Sequence, residues 1–570
     1  MNKRFVSRIR WLTLLFALFM IAIIGRLYLL QVLQGKEYLA RANAQFMLPQ
    51  SPLIDRASIY FSDKSGTPII AATLEDGFSL ALNPTKIANP EALYQEVNAI
   101  VPIDHATFIA KATQQNTQYA VVANHLPTAE GQALEAKNFP GVVIAEDRWR
   151  YYPGGSLAAQ ELGFVSYDNS GMEQGQYGLE RFYNSTLTRN NQDLYTNFFV
   201  QLFGGVASTL QGATQTGDVV TTIEPAVQAE LEQVLAGYMN EWHPQYLGGI
   251  IMDPNTGAIY AMAINPTFDL NKFNQQTNLG VFNNIMAQNI YEMGSIIKPL
   301  TMAAGIDSGA ITPTTTYDDT GCITVNKARI CNFDMRPRGV IPMQPILTQS
   351  LNVGASFIAT QMGSSTMRDY FINHYQLASS TGVDLPGEIT GHLNTLYTQQ
   401  QVDYDTASFG QGIAMTPVET LRALNSLVNG GYLVTPHFAK AINYDTGISK
   451  TLNWGPPIQD LKPSTANTVR QMLVTVVNTA GVDYPIRIPN YSIGAKTGTA
   501  QIVDPSTGTY YPHKYMHTYF GFLPGSNPQF SVFLLAYEPV GAPYAADTWS
   551  PYFHQLTEFL INYYNIPPGQ

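Results

Sequence analysis

The sequence predicts a multi-domain α/β (α+β) protein tethered to a membrane by one N-terminal helix. Three observations predict it. An apolar run over residues 11–33 is about the 20 residues that cross a bilayer as a helix. Residues 34–216 mix short strand and helix signals. Residues 217–570 begin and end in strands around a helix-rich centre. That pattern fits one sheet whose first and last parts pair beneath helices. Hydrophobic residues make up 45% of the 570, enough for a sizeable core. Charged residues are only 13%, roughly half the usual share. The net charge of −11 and the lack of a long basic block speak against nucleic acid as a partner.

In chain order, residues 1–10 are a tail with Lys3, Arg4, Arg8 and Arg10. Basic residues ahead of an apolar span predict a cytoplasmic N-terminus. Residues 11–33 are the transmembrane helix, with Arg26 expected to snorkel to the outer interface. No small-residue cleavage site directly follows the run, and apolar residues resume at Leu27–Leu30. The run therefore reads as an uncleaved anchor rather than a signal peptide. The chain is expected to cross the plasma (inner) membrane once, with everything after the anchor outside the cytoplasm. Disulfides are permitted there. The two cysteines, Cys322 and Cys331, flank a hairpin signal with its turn near Asn326-Lys327, and a disulfide is expected across it.

Residues 34–216 read as a scaffold, or pedestal. Arg56–Tyr60 and the residues after Asp63-Lys-Ser-Gly-Thr read as strand, turn, strand. Helices are expected over 89–101 and 128–136, and a short one opens at Tyr177. No catalytic residue types cluster there. Beyond 217, Asp218–Ile223 is a strand, Pro225–Tyr238 an amphipathic helix, and 249–262 a hairpin turning at Asn255-Thr-Gly257. The helix-rich centre spans about 297–430. Strands return at 491–499, 519–523 and 530–537, and a helix is expected over 552–564.

Three short motifs carry the chemistry. In Ser295-Ile-Ile-Lys298 the serine is expected at a helix N-terminus, and the lysine three residues on shares its face. A serine hydroxyl needs a base within reach, and a desolvated lysine can be one. In Ser350-Leu-Asn352 a hydroxyl and an amide two residues apart can enter one cleft. Lys496-Thr-Gly-Thr499 stands in strand context, with charge and hydroxyls for a carboxylate and Gly498 for close backbone approach. Alone, each motif fits a blander reading: helix caps for the first two, an edge strand for the third. Their order and contexts together match the serine acyltransferase set of penicillin-binding proteins and β-lactamases.

The match extends further. Thr222–Gln228, Asp253–Gly257 with Ile259–Met262, Asn265–Asn271, Phe409–Ile413, Thr416-Pro417 and Asn429–Gly431 resemble a penicillin-binding transpeptidase domain. The Arg56–Ala71 segment and Gly178-Leu-Glu180 resemble the class B pedestal. The chain departs from the family in having Glu292-Met-Gly294 where Glu-Pro-Gly is usual, and one extra residue before Asp63.

The resemblance implies a class B penicillin-binding protein, with pedestal 34–216 and transpeptidase domain 217–570 built on a central antiparallel sheet covered by helices. It implies that Ser295 attacks the penultimate D-alanine of a stem peptide ending in D-Ala-D-Ala. Lys298 would be the base, Ser350 the proton shuttle, and Asn352 would orient the substrate amide and Lys298. Lys496, Thr497, Gly498 and Thr499 would bind the terminal carboxylate, and the backbone N–H groups of Ser295 and Thr499 would form the oxyanion hole. β-Lactams would be covalent inhibitors. No cofactor or metal is implied. The expected partner is a multi-span membrane glycosyltransferase, among other divisome or elongasome proteins. Length and pedestal form favour the septal type over the elongation type. A D,D-carboxypeptidase or β-lactamase-like hydrolase, or a β-lactam sensor, would share the motifs. A hydrolase needs an extra base, and no E-x-x-L-N pattern follows Asn352. A sensor needs an output domain, for which about ten cytoplasmic residues leave no room.

Overall fold

In the computed structural model, residues 19–20, 55–114, 117–168, 173–189, 216–479 and 486–569 are described. The expected transmembrane helix over 11–33, apart from Phe19 and Met20, and the polar stretch 34–50 lie outside them. Among the described residues no helix is long and apolar enough to cross a membrane. The described chain falls into two compact units, one of residues 76–149 and a larger one of residues 55–75 with 150–570.

Strands β1 (Ile59–Ser62) and β2 (Pro68–Leu82) form an antiparallel pair. The turn between them is organised by Asp63, whose Oδ1 accepts the N–H of Ser65 at 2.9 Å and of Thr67 at 2.8 Å. Residue 66 is a glycine with φ of +84°, a conformation that costs glycine nothing.

In the smaller unit the end of β2 pairs with β3 (Ala120–Leu126) and also with β4 (Val142–Tyr151). Helices α1 (Pro90–Asn98) and α2 (His105–Ala112) start where Asn89 and Asp104 cap them. With α3 (Thr128–Lys137) they bury Val97, Phe108 and Leu134 against Leu80, Leu82 and Leu126.

The larger unit continues with β5 (Gly217–Thr221), parallel to β1. Then come α4 (Pro225–Trp242), with Pro225 at its first turn, and the hairpin of β6 (Tyr246–Met252) and β7 (Ile259–Asn265). Helices α5 (Lys298–Asp307), α6 (Asn352–Asp369) and α7 (Gln401–Ala407) follow. The chain closes with β8 (Gly494–Val503), β9 (Tyr510–Leu523), β10 (Phe530–Tyr537) and α8 (Ala545–Tyr564).

These last strands and the first hairpin make one antiparallel sheet in the order β8-β9-β10-β6-β7. First and last parts therefore pair, as the sequence pattern requires. Strand residues alternate between two faces. One face, with Leu247, Ile251, Tyr519, Val532 and Leu534, packs under α4 and α8 through Leu231, Tyr238, Trp549 and Phe553. The other, with Ile250, Phe520 and Phe533, meets Ile296, Ile297, Leu300 and Ala303 around α5. Helix α8 starts seven residues before the expected position because Pro551 does not end it.

The larger unit also buries a charged cluster. Glu180 accepts from Arg56 Nε at 2.7 Å and Arg150 Nε at 2.6 Å, and all three side chains are buried. Arg56 further donates to Asn184 Oδ1 and Thr188 Oγ1, and Arg150 to the Ala57 carbonyl. Burial alone would raise the Glu180 pKa, but the two guanidiniums hold it below the ordinary glutamate value.

Candidate active site

Ser295 sits on a single 3-10 turn, Gly294–Ile297, and the α-helix proper begins at Lys298. The expected helix N-terminus is thus one turn later, because the chain entering Ser295 is fastened on both sides. Gly294 N–H donates to the Gly410 carbonyl at 3.0 Å. The Met293 carbonyl accepts from Thr518 Oγ1 of β9 at 2.9 Å. Gly498 of β8 lies so close that a Cβ there would come 2.7 Å from the Met293 oxygen and 2.2 Å from Thr518 Oγ1. A Cβ on Gly410 would meet the Gly294 oxygen at 2.2 Å. Only glycine permits these approaches. The Gly294 Cα also lies against the Thr499 carbonyl, 3.0 Å from where its Cβ would be. The backbones at Ser295 and Thr499 are therefore neighbours.

Glu292, two residues before Gly294, accepts from Gly412 N–H at 3.0 Å and from the Tyr510 hydroxyl at 2.8 Å. Burial raises its pKa. This glutamate ties the segment before Ser295 to the Phe409–Ile413 stretch and to the start of β9.

Lys298 and Lys496 are 1% and 2% exposed, and they meet at one residue. Lys298 Nζ donates to the Ser350 carbonyl at 2.5 Å and to Ser350 Oγ at 3.2 Å. Lys496 Nζ donates to the same Oγ at 3.1 Å and to the Thr497 carbonyl at 2.9 Å. Ser350 holds a left-handed φ of +55°, which serine adopts only when its surroundings fix it. Among the described residues neither lysine has an ion pair. Burial lowers the Lys298 pKa well below the ordinary lysine value, and the Lys496 charge lowers it further. Burial lowers Lys496 to about 7. A serine hydroxyl has two lone pairs, and the two lysines engage both, so its proton is free to point elsewhere.

Asn352 opens α6, half-buried. Its Nδ2 donates to the Cys331 carbonyl at 2.9 Å, whereas both hydrogen bonds of Lys298 go to Ser350. Thr499 Oγ1 accepts the N–H of Ala545, the first residue of α8, at 3.0 Å. The Thr499 hydroxyl keeps its own proton to donate. Cys322 and Cys331 are bonded across a hairpin of strands Cys322–Val325 and Ala328–Cys331, directly opposite each other. The turn residues Asn326 and Lys327 have φ of +49° and +72°, as a tight two-residue turn demands.

The fold thus brings Ser295, Lys298, Ser350, Asn352, Lys496, Thr497, Gly498 and Thr499 to the edge strand of the sheet, β8. Thr518 carries no sign in the sequence of its part in this frame: it lies 225 residues from Met293, and its residue type is unremarkable. Glu292 and Gly410 stand out in the sequence only within the family-like stretches 292–294 and 409–413.

Residues 247–556 match the family model described as penicillin binding protein transpeptidase domain, and residues 55–197 match the penicillin-binding protein dimerisation domain. The chain is 28% identical to stage V sporulation protein D of Bacillus subtilis, over 93% of this chain and 81% of that protein. It is 25% identical to peptidoglycan D,D-transpeptidase FtsI of Buchnera aphidicola, over 100% and 97%. Among solved structures, penicillin binding protein 2X of Streptococcus thermophilus has the same fold. Its TM-score is 0.72 at 21% identity, covering 90% of this chain and 80% of that one.

Proposed function

The chain belongs to the penicillin-binding protein transpeptidase family, and we propose that Ser295 is the nucleophile through which it works. The protein is a peptidoglycan D,D-transpeptidase that forms peptide cross-links through a serine acyl-enzyme and is inhibited covalently by β-lactams.

The observation that carries the assignment of roles is the pair of uncompensated buried lysines on Ser350. A neutral Lys298 takes the Ser295 proton as Oγ attacks the carbonyl of the penultimate D-alanine. The backbone N–H groups of Ser295 and Thr499 receive the oxyanion. The C–N bond then breaks, and Ser350 passes the proton to the departing D-alanine. An acceptor amine attacks the ester and restores the serine. The terminal carboxylate sits on Lys496, Thr497 and Thr499, with Gly498 letting it approach. An arriving carboxylate raises the Lys496 pKa and so protonates it. That charge in turn keeps Lys298 neutral and basic. Asn352 orients the substrate amide.

The rest of our reading places residues 1–10 inside the cell and 11–33 across the plasma membrane. The pedestal 34–216 and catalytic domain 217–570 lie outside. The two family matches, 55–197 and 247–556, fall on either side of that boundary and support it. The basic tail and apolar run support the topology. Partnership with a multi-span glycosyltransferase of the divisome or elongasome is supported by the family match, and the septal type by the form of the pedestal.

The test is covalent trapping. The full-length chain in detergent should gain the mass of one penicillin, on the tryptic peptide holding Ser295. Ser295→Ala should abolish labelling and keep the fold. Labelling at another residue, or none in folded protein, overturns the assignment; rapid loss of the adduct points to a hydrolase.

A further inference from the structure

We propose that the disulfide-bonded hairpin 322–331 positions Asn352, so that cutting the Cys322–Cys331 bond slows acylation of Ser295 in protein that remains folded. The inference rests on the acyl-transfer reading above.

The stretch just after the disulfide holds the second motif at three points. The Cys331 carbonyl accepts Asn352 Nδ2 at 2.9 Å. Asn332 Oδ1 accepts the Val353 N–H at 3.1 Å, one of the free donors at the start of α6. Arg338 Nε donates to Gln349 Oε1 at 2.9 Å. Ser350 lies between these anchors, and its carbonyl and hydroxyl receive Lys298.

The anchors are themselves fixed at the foot of the hairpin. Asn332, 1% exposed, donates its amide to both Asp319 oxygens, at 2.9 and 3.0 Å, and its N–H to the Gly321 carbonyl at 2.9 Å. Asp319 Oδ1 also accepts the Gly321 N–H at 2.8 Å. The disulfide joins the residues next to these two, Cys322 after Gly321 and Cys331 before Asn332. It therefore closes the ring of bonds that sets where the Cys331 carbonyl points. At the other end, Asn326 Oδ1 in the turn accepts the Val402 N–H of α7 at 3.0 Å, and α7 leads to Gly410 behind the nucleophile. The hairpin spans from Asn352 to the frame of Ser295.

An asparagine side chain has two donors and one acceptor. With one donor held by Cys331, its amide plane is fixed and Oδ1 with the second donor is presented to the substrate. Without a fixed carbonyl the amide rotates, and misplacement by about 1 Å costs a reaction up to ~10²-fold. Cysteine side chains make none of these bonds, so the bond between them acts only through backbone position.

The bond is open to chemistry. Cys322 and Cys331 are only half-buried, and the Arg329 guanidinium lies 3.5 Å from Cys322 Sγ. A cation beside a sulfur stabilises the thiolate that leaves when a thiol attacks its partner. A dithiol delivers two electrons and two protons, giving thiols at Cys322 and Cys331 while the dithiol itself closes to a cyclic disulfide.

The experiment uses full-length protein in detergent, with and without dithiothreitol. It follows the acylation rate constant with a fluorescent penicillin, and circular dichroism shows that the fold persists. Reduction should slow acylation roughly ten- to hundredfold, and reoxidation should restore it. Cys322→Ser/Cys331→Ser should be slow from the outset and indifferent to dithiothreitol. Asn332→Ala, which leaves the disulfide in place, should be slow as well; it serves if reduction melts the protein. If the disulfide were purely stabilising, reduction would lower the melting temperature and leave the rate constant below it unchanged, which would overturn the inference. Equal rates in reduced and oxidised folded protein, or a normal rate in folded Asn332→Ala, overturn the inference. No labelling in the oxidised protein overturns the acyl-transfer reading and the inference with it.

Discussion

Arg56 and Arg150 share one buried carboxylate, Glu180, whereas Lys298 and Lys496 share only a hydroxyl and two carbonyls. Both clusters lie in the larger unit and both are almost wholly shut off from water. In the first, both guanidiniums reach the carboxylate, and Glu180, though desolvated by burial, has its pKa held below the ordinary value by them. In the second, no carboxylate among the described residues pairs with the lysines, and burial lowers both pKa values. The first arrangement secures structure. On the mechanism we propose, the second holds a base ready for a proton, at a cost to stability that the rest of the fold must offset.

Three substitutions test how differently the two clusters behave. Lys298→Met removes the base, and acylation by a fluorescent penicillin should slow by about 10²–10⁴-fold. The same change replaces a buried amine, costly to desolvate, with an apolar side chain of similar length, so the melting temperature should not fall; a large fall would mean that Lys298 holds structure after all. Glu180→Ala should do the reverse. It leaves two buried guanidiniums without their carboxylate, and denaturant unfolding should show a loss of about 3–5 kcal/mol. The acylation rate of the fraction that stays folded should be unchanged. A slow rate there would join the two clusters into one functional system.

Lys496→Met sharpens the electrostatic half of the contrast. The Lys496 charge depresses the Lys298 pKa, so its removal raises that pKa. The base form of Lys298 then requires higher pH. The rising limb of the acylation rate against pH should move upward in the variant, besides any loss of carboxylate binding. A limb that stays in place, or moves down, would remove Lys496 from the account of how Lys298 is tuned.

The two clusters also differ in how much of them the sequence discloses. Ser295, Lys298 and Lys496 were legible because short spacings carry them: three residues on one helical face, four residues in one strand. The sheet was legible from period and turn residues, and even the paired outer strands followed from strands at both ends of the domain. What joins the motifs was not legible. The meeting of both lysines at Ser350 depends on a left-handed φ at a residue that carries no sign of it. Asn352 bonds to a carbonyl 21 residues away, and a carbonyl has no residue type to read. Arg56 and Glu180 were noticed only as parts of a resemblance, because their pairing spans 124 residues. Pro551 misled for a simpler reason: proline ends helices often enough to set a boundary, yet α8 runs through it.

The pairing of β10 with β6, in which Leu534 lies opposite Gly249, sets an order of events during synthesis. Residues 1–500 already contain all three motifs, but not Thr518, which holds the turn at Ser295, nor Ala545, which meets Thr499. The central strand of the sheet is among the last parts of the chain to be made. Such distant pairings form slowly, and none can form before its second partner exists. A growing or truncated copy therefore carries Ser295 without the contacts that fix its turn, and cross-linking of the wall waits for the late strands.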